Sequence, residues 1–175
     1  MLSNNKIYVT LQNSINSDGL WNPSISLYYS GCDKSIKCID CHNPELQDKK
    51  QGFYTTTEDL IKDIEKVLIK WLDTYETMSL CFIGGEPLAE WNRESVLIIS
   101  QYFKLKYKYR ICNIFYSWRY LKDLVQLTKY IKYMDYGVLG DFKAEQKDLN
   151  YIPSSKNQYI YDFRNKTKMK PIKKG

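Results

Sequence analysis

Residues 57–72 read TEDLIKDIEKVLIKWL, residues 79–83 read SLCFI, and Gly84-Gly85-Glu86-Pro87 follows at once. In the first segment Leu60, Ile61, Ile64, Val67, Leu68, Trp71 and Leu72 recur at helical spacing, which predicts an amphipathic helix with one buried face. Thr56 with Asp59 three residues later resembles a helix-capping arrangement, with Asp in the place of Glu or Gln. The second segment is a short apolar run of the kind buried on both faces of a parallel sheet, and the glycine pair ends it.

Outward from this helix–strand unit the pattern repeats. Trp91 to Phe103 reads as a helix with Ile98, Ile99, Tyr102 and Phe103 inward, and Arg110 to Tyr116 reads as a strand. Tyr120 to Ile131 reads as a helix with Leu121, Leu124, Val125 and Ile131 inward. Tyr136 to Leu139 and Gln158 to Phe163 read as strands. Toward the N-terminus, Ser24 to Ser30 is a strand between Pro23 and Gly31, and Ile7, Val9 and Leu11 alternate in an expected edge strand from Lys6 to Gln12. Cys32 to Gly52 is a long polar loop of the kind that is usually functional. Strand and helix alternate at least three times, which predicts an α/β fold with a mainly parallel sheet. At 175 residues the chain is too short for an eight-unit barrel, so the expectation is an open, partial (β/α) barrel. Functional loops in such sheets lie beyond the carboxyl ends of the strands. The Cys loop, the Gly84-Gly85-Glu86 turn and the Tyr116-Ser117 turn all fall there.

Hydrophobic residues make up 43% and charged residues 26%, an ordinary globular balance that fits one domain over residues 1–163. No apolar run reaches the roughly 18 residues of a membrane span. Ser3, Asn4, Asn5 and Lys6 stand where a secretory signal needs apolar residues, so a cytoplasmic location is expected. The net charge of +6 comes from Arg164, Lys166, Lys168, Lys170, Lys173 and Lys174, which leaves residues 1–163 neutral and no basic nucleic-acid face on the body. Residues 164–175 read as a solvated basic tail, with partner docking as a second reading.

Five cysteines in a chain with no export signal argue against a disulfide framework. Cys32, Cys38 and Cys41 crowd one loop, and thiolates suit zinc, copper(I) or an iron–sulfur cluster. A closed zinc site needs four ligands, and a fourth is missing, since His42 directly follows Cys41 and is awkward on the same ion. Cys81 and Cys112 fall in apparent buried strands, as core residues. Three thiolates on a cubane leave one iron open to a ligand, which gives the odd count a use. His42 is the only histidine, so no mechanism can require two. Glu45 and Glu90 read as solvated acids.

Ser30-Gly31-Cys32, Cys38-Ile39-Asp40-Cys41-His42-Asn43-Pro44 and Ile83-Gly84-Gly85-Glu86-Pro87-Leu88 together resemble the radical S-adenosylmethionine enzymes. Within them the chain is similar to the small activases of anaerobic ribonucleotide reductase, through Tyr116-Ser117-Trp118, Gly140-Asp141-Phe142 and Ser154-Ser155-Lys156-Asn157-Gln158. The resemblance runs from about Ser24 to Asp162. Its departures are a first spacer of five residues where three is usual, Asp40 before the third cysteine, Trp118 in place of Gly, and Lys156 within the last motif.

The resemblance implies that Cys32, Cys38 and Cys41 hold a [4Fe–4S] cluster whose open iron takes S-adenosylmethionine. It further implies that Glu86 accepts from the methionine ammonium, that Gly84 and Gly85 allow close approach, that Pro87 fixes the turn's exit, and that Ser117 meets the ribose. The implied partners are the large subunit of anaerobic ribonucleotide reductase, which receives a glycyl radical, and a low-potential electron donor of flavodoxin or ferredoxin type. Two alternatives stay open at this point. One is a small radical S-adenosylmethionine enzyme acting on a free molecule, like the 7-carboxy-7-deazaguanine synthases. The other is a non-enzymatic zinc-binding module.

Overall fold

The computed structural model describes residues 6–174, so Ser3, Asn4 and Asn5 of the leader reading lie outside the described residues, as does Gly175. The strands are β1 (Lys6–Asn16), β2 (Ser24–Tyr29), β3 (Phe53–Thr56), β4 (Met78–Gly84), β5 (Ile111–Ser117), β6 (Tyr136–Leu139), β7 (Tyr151–Ile152), β8 (Tyr159–Asp162), β9 (Thr167–Met169) and β10 (Ile172–Lys173). Helix α1 spans Thr57–Leu72 and α2 spans Arg93–Tyr107. One eight-stranded sheet runs in the order β3-β1-β2-β4-β5-β6-β8-β9, and β7 pairs with β10 apart from it.

The α/β class holds, but the sheet is mixed where a mainly parallel one is expected. Only β2, β4, β5 and β6 run parallel to one another. On one side β1 and β3, and on the other β8 and β9, add antiparallel strands. Direct hairpin-like connections replace helical crossovers at both ends, and β3 and β9 remain edges, so no closed barrel forms. The strand at Lys6 is not an edge, because β3 pairs along its outer side.

Helix α1 has the bounds its periodicity sets. The Thr56 hydroxyl accepts from the Asp59 amide at 3.2 Å and donates to the Asp59 carboxylate at 2.7 Å. Leu60, Ile61, Ile64, Leu68 and Leu72 are buried, and with Val96, Ile99 and Phe103 of α2 they cover one sheet face through Leu27, Leu80 and Phe82. The opposite face carries Cys81, Ile83, Ile114, Val138 and Ile160, covered by Leu20, Ile152 and Ile172 from loops and the β7–β10 pair.

The helix expected over Tyr120 to Ile131 is instead a 3₁₀ helix, Leu121–Leu127. Leu121, Leu124 and Leu127 recur every three residues, the repeat of a 3₁₀ face. Val125, placed inward by the α-helical reading, is 66% exposed. The basic tail also differs from a solvated end. Thr167–Met169 pair antiparallel with β8, and Ile172 pairs with Ile152. No helix among the described residues is long and apolar enough to cross a membrane.

Candidate metal centre

Strands β2 and β4 run in register from Ser24–Ser79 to Tyr29–Gly84, and β4 and β5 pair in parallel beside them, so three carboxyl ends finish on one rim. The cysteine loop leaves β2 there. Its outgoing and returning arms are tied by the Gly31 amide donating to Leu46 O at 2.8 Å and the Cys32 amide donating to Gln47 O at 3.2 Å. The Gly85 amide donates to Tyr29 O at 2.8 Å. The buried Asn92 side-chain amide donates to Ser30 O and to Glu86 O, both at 3.0 Å, which joins the loop's entry to the glycine turn.

Gly84 has φ +111°, a region that L side chains rarely adopt. Gly85 is required by proximity. A Cβ on it would stand 2.6 Å from Gly31 O and closer still to Leu46 O, both rigid main-chain atoms. Gly85→Ala is therefore expected to cost about 3 kcal/mol, the upper end for overpacking, and urea unfolding of the metal-free chain measures it.

A cavity of about 320 Å³ opens at this rim. Cys32, Cys38 and Cys41 line it from the loop, Gly84 and Gly85 from the turn, and Ser117 from the end of β5. Gly140, Phe142 and Gln158 close its far wall, so the later motifs reach the same space. Gln158 is oriented by donating to Gly140 O at 2.7 Å. All five thiols are free. Cys81 is fully buried on the sheet's loop-covered face, and Cys112 packs against the same cluster. Burial pushes the Cys112 thiol up to about 12 and holds Cys81 well above the ordinary thiol range. Burial also raises the Cys32 and Cys38 thiols, which lie at the cavity, so binding a metal there would release protons.

Cys32, Cys38 and Cys41 put three soft thiols on one cavity, the donor class of zinc and of iron–sulfur clusters alike, and three thiolates on a cubane leave one iron open. Among the described residues no group of three or more His, Cys, Asp or Glu is already gathered around a single ion position.

Glu86 lies behind the cavity wall and does not line it. It is fully buried, and Pro87 beside it is buried as well. Ser117 Oγ stands 2.9 and 3.0 Å from its two carboxylate oxygens. The Leu88 amide donates to it at 2.9 Å and the Trp118 amide at 3.2 Å. Arg119 Nη1 is 3.0 Å from Glu86 Oε1, an ion-pair distance, although no N–H of Nη1 is aligned for a hydrogen bond. The carboxylate thus fixes Ser117 at the cavity edge and is itself nearly saturated.

Burial pushes the Glu86 carboxyl from 4.5 up to about 7, against the downward pull of Arg119 and the Leu88 amide, with Asp33 adding to the rise. An acid whose folded pKa is raised keeps a proton that the unfolded chain releases. Its contribution to stability is greatest below pH 4.5 and is lost as pH climbs to about 7. Across that window the native chain is expected to lose about 3 kcal/mol relative to Glu86→Gln, which does not titrate. Parallel urea titrations of the two proteins check the difference.

Compared with known protein families, residues 16–161 match the 4Fe-4S single cluster domain. The chain belongs to that family. No curated protein matches it. For a 4Fe-4S single cluster domain, the ligand class is soft thiolate and the metal group is one iron–sulfur cluster.

Asp33, Asn92 and Arg119 also build this 4Fe-4S single cluster domain's rim, and the sequence reading does not select them. Arg119 carried one usable signal, a cation two residues past the Ser117 turn on the same rim as Glu86. His42 lies against Phe142, with ring centroids 4.5 Å apart, at the cavity's edge. Its pKa is lowered, first by burial and then by Lys147 and Lys174.

Proposed function

We propose that this chain is a radical S-adenosylmethionine activase that installs a glycyl radical on the large subunit of an anaerobic ribonucleotide reductase. One observation carries the reading. The cysteine loop after β2, the glycine turn after β4 and Ser117 ending β5 meet around a single cavity, in the chain order of that superfamily. Cys32, Cys38 and Cys41 would hold the [4Fe–4S] cluster and leave one iron open. When bound, the cluster and S-adenosylmethionine would supply the hard chemistry, reductive cleavage of the sulfonium by one electron from a flavodoxin- or ferredoxin-type donor, with hydrogen abstraction from the target glycine as its outcome.

The protein's share is binding and orientation. Gly84 and Gly85 line the cavity edge, and their lack of a Cβ lets the turn pack directly against the main chain of β2 and the cysteine loop. Ser117 offers a hydroxyl at the same edge, for a ribose oxygen, and Glu86 holds it there from behind. The methionine end would lie at the glycine turn, where Glu86, buried behind the wall and bound by Ser117, the Leu88 and Trp118 amides and Arg119, supports the turn and does not itself reach the ammonium. Docking of the reductase over the rim would exclude water from the reacting atoms.

The test is anaerobic reduction with S-adenosylmethionine, followed by addition of the cognate large reductase subunit. A glycine-centred doublet by electron paramagnetic resonance, with methionine and 5′-deoxyadenosine accumulating, is expected. Cleavage of S-adenosylmethionine without the doublet would transfer the assignment to a small-molecule substrate. Stoichiometric zinc and no iron in anaerobically purified protein would end both readings.

A further inference from the structure

Two peculiarities of the sequence meet in space. The five-residue first spacer begins with Asp33, and Trp118-Arg119 follows the end of β5. Trp118 Nε1 donates to Asp33 Oδ1 at 3.0 Å, and Arg119 Nη2 donates to Asp33 Oδ2. The other terminal nitrogen of the same guanidinium faces Glu86. Arg119 therefore spans two carboxylates, one on the cysteine loop and one on the glycine turn. Its guanidinium also stacks over the Trp118 ring at 4.7 Å.

The base of this bridge is rigid. The Arg119 amide donates to Ser117 Oγ at 3.1 Å, and its carbonyl accepts from the Gly140 amide at 2.9 Å. The Arg119 side chain is 11% exposed, Asp33 24% and Glu86 not at all, so the charges are shielded from water and salt. The rest of the spacer is strapped more weakly, by Lys37 Nζ donating to Cys32 O and by Lys34 at 3.5 Å from Asp141.

We propose that Arg119 is a positioning residue, a fork that locks the extended spacer to the glycine turn and thereby sets where Cys32 presents its sulfur. A planar guanidinium reaches two carboxylates at once, which a lysine ammonium on a single point cannot do. Without the fork, the five-residue spacer would be held to the rim by its main-chain contacts, the Trp118–Asp33 bond and the weaker Lys34 and Lys37 straps. The consequence for Cys32 rests on the cluster-ligand reading above, whereas the lock itself does not.

The experiment uses amide hydrogen exchange on the whole metal-free chain, then the reduced-cluster paramagnetic resonance spectrum after anaerobic reconstitution. Asp33→Asn keeps the Arg119–Glu86 pair and so leaves the buried charges matched. It is expected to speed exchange over residues 32–38 by roughly tenfold or more, the effect of losing one hydrogen bond to a charged group. β4 and β5 should be unmoved. Arg119→Lys should match it, and the double variant should be no looser than either single one. The reconstituted cluster should show a shifted or broadened spectrum in each.

Exchange in Asp33→Asn equal to that of the native chain, or effects of the two variants that simply add, would overturn the lock. A loosened loop with an unchanged spectrum and iron content would overturn the role assigned for Cys32. Because the exchange is read without metal, failure of the lock is separable from failure of the activase reading.

Discussion

Cys38→Ala, purified and reconstituted without oxygen, is expected to lose the visible cluster absorbance and most of its iron, as are Cys32→Ala and Cys41→Ala. These three thiols share the rim cavity, and no other cysteine lines it. The loss should reach roughly tenfold or more, since even changes outside the ligand shell cost metal sites that much. Cys81→Ala and Cys112→Ala serve as controls that keep their iron, because both thiols pack on the sheet's loop-covered face. Retention of a full cluster by Cys38→Ala would remove the ligand assignment, and loss of iron from Cys81→Ala with an intact fold would relocate it.

Glu86→Ala should be the most damaging single change to the metal-free fold. It leaves the Ser117 hydroxyl and the Leu88 and Trp118 amides without their acceptor, and one arm of Arg119 without its counter-charge, around a fully buried position. Breaking a buried charge pair from one side costs about 3–5 kcal/mol. Urea unfolding at neutral pH measures it. Glu86→Gln retains an acceptor oxygen for Ser117 and Trp118 and should cost clearly less. Equal losses in the two variants would mean that the charge itself, and not the hydrogen-bond geometry, supports the rim.

What the sequence made readable follows from how strong each local pattern is. Helix α1 and strand β4 carry long, unambiguous periodicities, and their bounds came within a residue or two. Segment 121–127 was misread because Leu121, Leu124 and Leu127 satisfy a three-residue and a 3.6-residue repeat almost equally over two turns. Strand β3 is four residues abutting a helix cap, too short to display alternation. Strands β9 and β10 were hidden by lysines, which composition assigns to solvent but which an edge strand tolerates readily. At the site, the cysteines and the Gly-Gly-Glu turn were legible because their chemistry is concentrated in adjacent residues. The Asp33–Arg119–Glu86 bridge was not, because it joins positions 33, 86 and 119, and only the parallel pairing of β2, β4 and β5 brings them together.

The main-chain ties across the cysteine loop separate its support from its ligands. Gly31 to Leu46, Cys32 to Gln47 and Gly85 to Tyr29 are bonds between peptide groups, and none of them uses a thiol. In a zinc finger the ion itself holds the fold together. Here the loop's arms are also stitched to each other and to the glycine turn by peptide groups, so replacing one cysteine removes a ligand without cutting a stitch.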